Sequence, residues 1–89
     1  MAATLTRDVL EDQLAVSLAM VLAAANREAL QSGIDATQSS ISISQRSSNG
    51  EVIWRVNYSA NEAVGRRGGD LIVDVDGRDG TIKQVLHGQ

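Results

Sequence analysis

The 89-residue sequence predicts an α+β domain, with one long N-terminal helix packed on a four-stranded antiparallel meander sheet. Three observations carry this. Apolar residues recur at helical spacing through the first third of the chain. The period then changes to two, and the alternating segments follow one another through turns that leave no room for a crossover helix.

The helix is expected over about Asp8 to Ser32. Asp8 followed three positions later by Glu11 has the form of a capping box, with acid in the first turn where the helix dipole favours it, and Gly33 stands where a left-handed stop belongs. Leu10, Leu14, Leu18, Val21, Leu22, Ala25 and Ala29 make one apolar stripe. A second stripe, Val9, Val16, Met20, Ala23 and Leu30, exceeds what a helix covering one sheet requires.

Strand one is "SISISQR", which alternates Ile41 and Ile43 with serines. Ser47-Ser48-Asn49-Gly50 holds the Asn-Gly pair that favours a tight hairpin into "EVIWRVNYS", where Val52, Trp54, Val56 and Tyr58 share one face. A polar loop, "ANEAVGRRGG", leads to "DLIVDVD", with Leu71, Val73 and Val75 inward and Ile72, Asp74 and Asp76 outward. "GRDG" turns the chain into the last strand, "TIKQVL".

Composition narrows the function. The chain reads as a single domain, 1–89, with Trp54 and Tyr58 as its only aromatics, so the core is thin and oligomerisation is one common remedy. With no cysteine it has neither disulfides nor thiolate ligands, which is compatible with a reducing compartment. A formal net charge of −3 argues against a nucleic-acid binder. The uncharged run Leu14 to Ala25 falls short of the ~20 residues that span a bilayer, and acidic residues precede it where a signal peptide carries basic ones. The expected location is the cytoplasm, with no membrane partner.

The aspartates at 70, 74, 76 and 79 invite a metal reading, and the spacing answers it. If Gly80 is the sixth position of an EF-hand loop, Asp79 is the fifth, but the first, third and twelfth fall on Val75, Gly77 and Leu86. The expected alternative is a polar sheet face running into an Asp/Gly turn, with Arg55 and Asp74 as an exposed cross-strand pair and no cofactor. His87 has no Ser, Cys or carboxylate partner at a recognisable spacing, and serines 39, 40, 42 and 44 lack a strained elbow. Arg66-Arg67-Gly68-Gly69 lacks the glycine spacing and Lys-Ser/Thr of a phosphate loop, so it reads as a flexible basic loop, with docking of an acidic partner as the alternative.

Trp54-Arg55-Val56, Gly68-Gly69-Asp70, Val73-Asp74-Val75-Asp76 turning through Asp79-Gly80-Thr81-Ile82, and the closing Gly88-Gln89 resemble the strand region of PepSY-like and related cystatin-like small bacterial domains. The resemblance covers about half the chain, and the preceding helix fits the same arrangement. It implies a helix held in a curved antiparallel sheet and a non-catalytic role in binding protein, as a protease regulator or an immunity protein that neutralises a toxin. Gln84-Val85-Leu86-His87-Gly88 also resembles the Gln-x-Val-x-Gly hairpin with which cystatins enter protease clefts, with Leu86 in place of valine.

The expected function is therefore a protein-binding or self-associating module and not an enzyme. A protease inhibitor is the first alternative, and a small-molecule-binding or enzymatic domain the second. A homodimer is expected, with Val16, Met20 and Ala23 at its helical interface and Arg66 and Arg67 as a further contact. The competing arrangement is a strongly curved sheet that buries both helix stripes within one chain.

Overall fold

Helix formation begins at Thr6, which the sequence reading passed over. In the computed structural model, which describes residues 5–60 and 70–87, the Thr6 hydroxyl accepts from the Val9 N–H at 3.4 Å and opens α1, Arg7–Glu11. Asp12 then interrupts the expected single helix. Its backbone is extended, at φ −90° and ψ 109°, and its carboxylate accepts from the Ala15 N–H at 3.0 Å to open α2, Gln13–Gln31. The capping box at Asp8 and Glu11 does not form because Thr6 caps α1 and leaves Asp8 inside its first turn, while Asp12 caps α2. The C-terminal stop is as expected. Gly33, at φ 81°, lets its own N–H reach the Leu30 carbonyl at 3.0 Å and the Ile34 N–H reach the Ala29 carbonyl at 2.9 Å.

A 3-10 turn, Ala36–Gln38, held by Asp35, leads into the strands β1 (Ser39–Ser48), β2 (Glu51–Ala60), β3 (Leu71–Asp76) and β4 (Ile82–His87). They pair in the order β1-β2-β3-β4, each antiparallel to the next, as the meander requires. Asn49 and Gly50 close the β1–β2 hairpin with φ at 51° and 79°, a conformation Asn and Gly reach at least cost.

The register lays three apolar rungs across the helix-facing side: Ile41, Tyr58, Leu71; Ile43, Val56, Val73, Val85; and Trp54, Val75, Ile82. Val21, Ala25 and Ala29 of α2 press on them and are fully buried, the helix running chiefly over β3 and β2. Each fully buried Val or Leu here contributes about 1.5–3 kcal/mol. Ala25 and Ala29 contribute less surface, but their size lets the helix backbone approach the sheet closely.

The sheet does not wrap the helix. The molecule is 18 Å deep along its shortest axis, one helix layer on one sheet layer. Val16, Ala23 and Leu30 stay exposed on the far side of α2, which rules out burial of both stripes in one chain. No helix among the described residues is long and apolar enough to cross a membrane.

Candidate interaction site

The aspartates occupy structural positions. Asp76 accepts the Arg78 N–H at 2.8 Å and takes the Arg78 guanidinium at 3.3 Å, while Asp79 accepts the Thr81 N–H at 2.9 Å. Backbone bonds from Asp76 N–H to the Thr81 carbonyl and from Gly80 N–H to the Asp76 carbonyl close the β3–β4 turn around them. Hydrogen bonds from the backbone and side chain of Arg78 hold Asp76 below the usual carboxylate range, and those from Thr81 do the same for Asp79. Gly77 is required there for another reason. A Cβ at this position would stand 3.0 Å from the Trp54 indole nitrogen and 3.1 Å from the Val52 carbonyl.

Asp74 and Arg55 correct the expected exposed pair. They lie directly opposite each other on the outer face of the sheet, and the guanidinium makes two parallel bonds to the carboxylate, at 2.8 and 3.0 Å. Although that face carries no helix, Asp74 is only 6% exposed and Asp76 3%. The bidentate arginine and the neighbouring strands cover the first, and the second is covered by its own turn. Ion pairs this sheltered restrain geometry more than loose surface pairs do.

Sequence reasoning missed Asn26. Its Oδ1 accepts from the buried Tyr58 hydroxyl at 2.6 Å and ties α2 to β2, while burial pushes the phenol up to about 12. No local signal marks this residue, because only the packed helix brings position 26 over position 58. Among the described residues every buried side-chain nitrogen and oxygen has a hydrogen-bond partner, and no three His, Cys, Asp or Glu side chains are grouped as metal ligands would be. Between α2 and the β3–β4 turn lies a shallow groove of about 230 Å³ lined by Met20, Ala23, Ala24, Arg27, Asp79 and Gly80. That is below the ~300–1,000 Å³ of ordinary ligand pockets.

What stands out is apolar surface at the start of the helical layer. Leu5, Val9, Leu10, Leu14 and Val16 are all exposed, Leu10 by 58% and Leu14 by 56%. Leu14 lies on the same stripe as Leu18, Val21 and Ala25, so it points toward the core side, yet no strand lies beneath it. The reason is length. At 1.5 Å per residue α2 is about 28 Å long, longer than the ~20 Å of the six-residue β3 that it chiefly crosses, although the ten-residue β1 and β2 run to about 33 Å. Met20 packs beside Gly80 at the β3–β4 turn, so the residues before it project past that turn.

The sequence-derived interaction residues therefore separate. Val16 and Ala23 are exposed on the far side of α2, and Met20 is half-buried against Gly80. Arg66 and Arg67 lie outside the described residues. Gln84 to His87, the stretch compared with an inhibitory hairpin, form part of edge strand β4 and not a loop. Comparison with protein-family models, curated proteins and solved structures finds no match.

Proposed function

We propose that this chain is a non-catalytic protein-binding domain whose contact surface is the apolar end of α1 and α2. The observation that carries the reading is the exposure of Leu10 on α1 and of Leu14 on the first turn of α2, on either side of the break at Asp12. Exposed large apolar side chains gathered in one short segment, Leu5, Val9, Leu10 and Leu14, suit a contact with another protein. Asp8, Glu11 and Asp12 border it, which favours a partner carrying basic groups around an apolar centre. The toxin-neutralising and protease-regulating roles implied by the cystatin-like resemblance are both of this type. The lack of cysteine is compatible with a reducing compartment, and the proposed location is the cytoplasm.

The polar groups support the same reading. Asp74, Asp76, Asp79, Arg55, Arg78, Asn26 and Tyr58 are each engaged in holding a turn, a strand pair or the helix. A photo-crosslinking residue at position 14 tests the proposal in cells that make the protein. The expected result is capture of a discrete partner protein, lost when Leu10 is also changed to Glu and absent when the crosslinker is moved to exposed Lys83. Equal capture from both positions, or none from position 14, would overturn it.

A further inference from the structure

The two edges of the sheet are built differently. β4 is six residues long, is shifted in register opposite Asp74 and Val75, and carries Lys83 at the irregularity. Those are the features that keep a strand edge from pairing with another chain. β1 is neither short nor irregular, and its one charge, Arg46, follows the stretch from Ser39 to Gln45. It runs ten residues in unbroken register with β2, contains no proline, and is uncharged from Ser39 to Gln45.

The hairpin fixes which groups this edge presents. A two-residue loop at Asn49-Gly50 makes Ser48 and Glu51 a pair that exchanges both backbone bonds, so the even-numbered residues of β1 bond to β2. The odd-numbered residues Ile41, Ile43, Gln45 and Ser47 then direct their N–H and C=O groups to the open side.

We infer that β1 pairs antiparallel with β1 of a second copy about a two-fold axis at Ser42, making one sheet continuous across both chains. The edge is most self-complementary in that register, since an axis at Ile43 would pair Ile43 with its own copy but leave Ile41 against Gln45. Ile41 faces Ile43 of the second copy and Ile43 faces its Ile41, which joins four isoleucines on the helix-facing side, where Ile41 is now 39% exposed. Ser40 faces Ser44, and no two like charges meet, so two chains of net charge −3 approach along a neutral strand. Centring on Ser44 would instead set Ile43 against Gln45 and Ile41 against Ser47. The axis is perpendicular to the sheet, so both helices lie on one side of it and the apolar ends of α1 and α2 remain free. This inference does not depend on the use of those helix ends.

The lack of native cysteine makes the test direct. Ser42 bonds to β2, so across the new edge it occupies a non-hydrogen-bonded pair, where Cα atoms stand about 4.5 Å apart and a disulfide closes without strain. Under mild oxidation Ser42→Cys is expected to form a covalent dimer and Ser44→Cys to remain uncrosslinked. In sedimentation the wild type runs as a dimer. Ile41→Pro, which removes an outward N–H and leaves the β2 ladder whole, runs as a folded monomer. Leu10→Glu/Leu14→Glu stays dimeric, so failure of the helix-end reading and failure of this one are separable. A monomeric wild type, crosslinking at Ser44→Cys in place of Ser42→Cys, or a dimeric folded Ile41→Pro would each overturn the inference. Should the proline variant not fold, the two cysteine variants still decide.

Discussion

Tyr58 is the residue on which the two layers depend most specifically. Its ring fills the end of the core, and its hydroxyl reaches Asn26 on the opposite layer at 2.6 Å. Tyr58→Phe keeps the ring and removes the bond, at an expected cost of ~1 kcal/mol in chemical denaturation. The same burial sets a pH dependence. The phenol's value rises from an ordinary 10.0 to about 12 in the fold, so the unfolded chain ionises first. Stability therefore falls as pH climbs above 10 toward 12, and Tyr58→Phe is expected to lack that alkaline loss. A variant that loses stability as steeply as the wild type over this window would show that Tyr58 is not its source. Asn26, by contrast, was invisible before folding, since nothing in "AANRE" distinguishes a helix-surface amide from a tether.

At the level of elements, α2 contains two regimes, a packed portion from Leu18 onward and a projecting start held by its cap. Asp12 is that cap. Because no strand supports the first turns, loss of the cap is expected to appear as local fraying. Asp12→Ala should speed amide exchange at residues 15–17 about fivefold, the equivalent of ~1 kcal/mol, with little change in the global denaturation midpoint. A midpoint lowered by the whole amount would mean that these turns pack as firmly as the rest. The strands were legible from alternation, and the Asn49-Gly50 hairpin and the Gly33 stop from turn chemistry, because each of these signals is local. The break at Asp12 was not legible, since Asp8 and Asp12 both have capping chemistry and periodicity favours neither. Burial of Asp74 and Asp76 was also missed. Alternation correctly gave their face, but not the arginine and the turn that close over them.

For the whole molecule, the decisive relation is between a helix longer than the strand it chiefly crosses and a sheet wider than its helix. The first leaves Leu10 and Leu14 without a floor, and the second leaves Ile41 without a cover. The expectation of a helix-mediated dimer arose from counting apolar stripes. Val16 and Ala23 keep exposed positions on α2, as a helix-mediated dimer requires, whereas Met20 packs at the β3–β4 turn; the unprotected strand edge supplies a separate proposal for self-association. What the sequence could not convey was relative length and placement, which appear only when helix and strands are set in one frame. The central claim is that Leu10 and Leu14 serve contact with another protein and not the fold. Chemical denaturation of Leu10→Glu/Leu14→Glu tests it most directly. Substitutions on free surface stay within about 0.5 kcal/mol of wild type each, and the double variant is expected to do so. A loss of several kcal/mol, the ~2–5 typical of emptying a buried leucine site, would show instead that both side chains lie in the core of the folded chain.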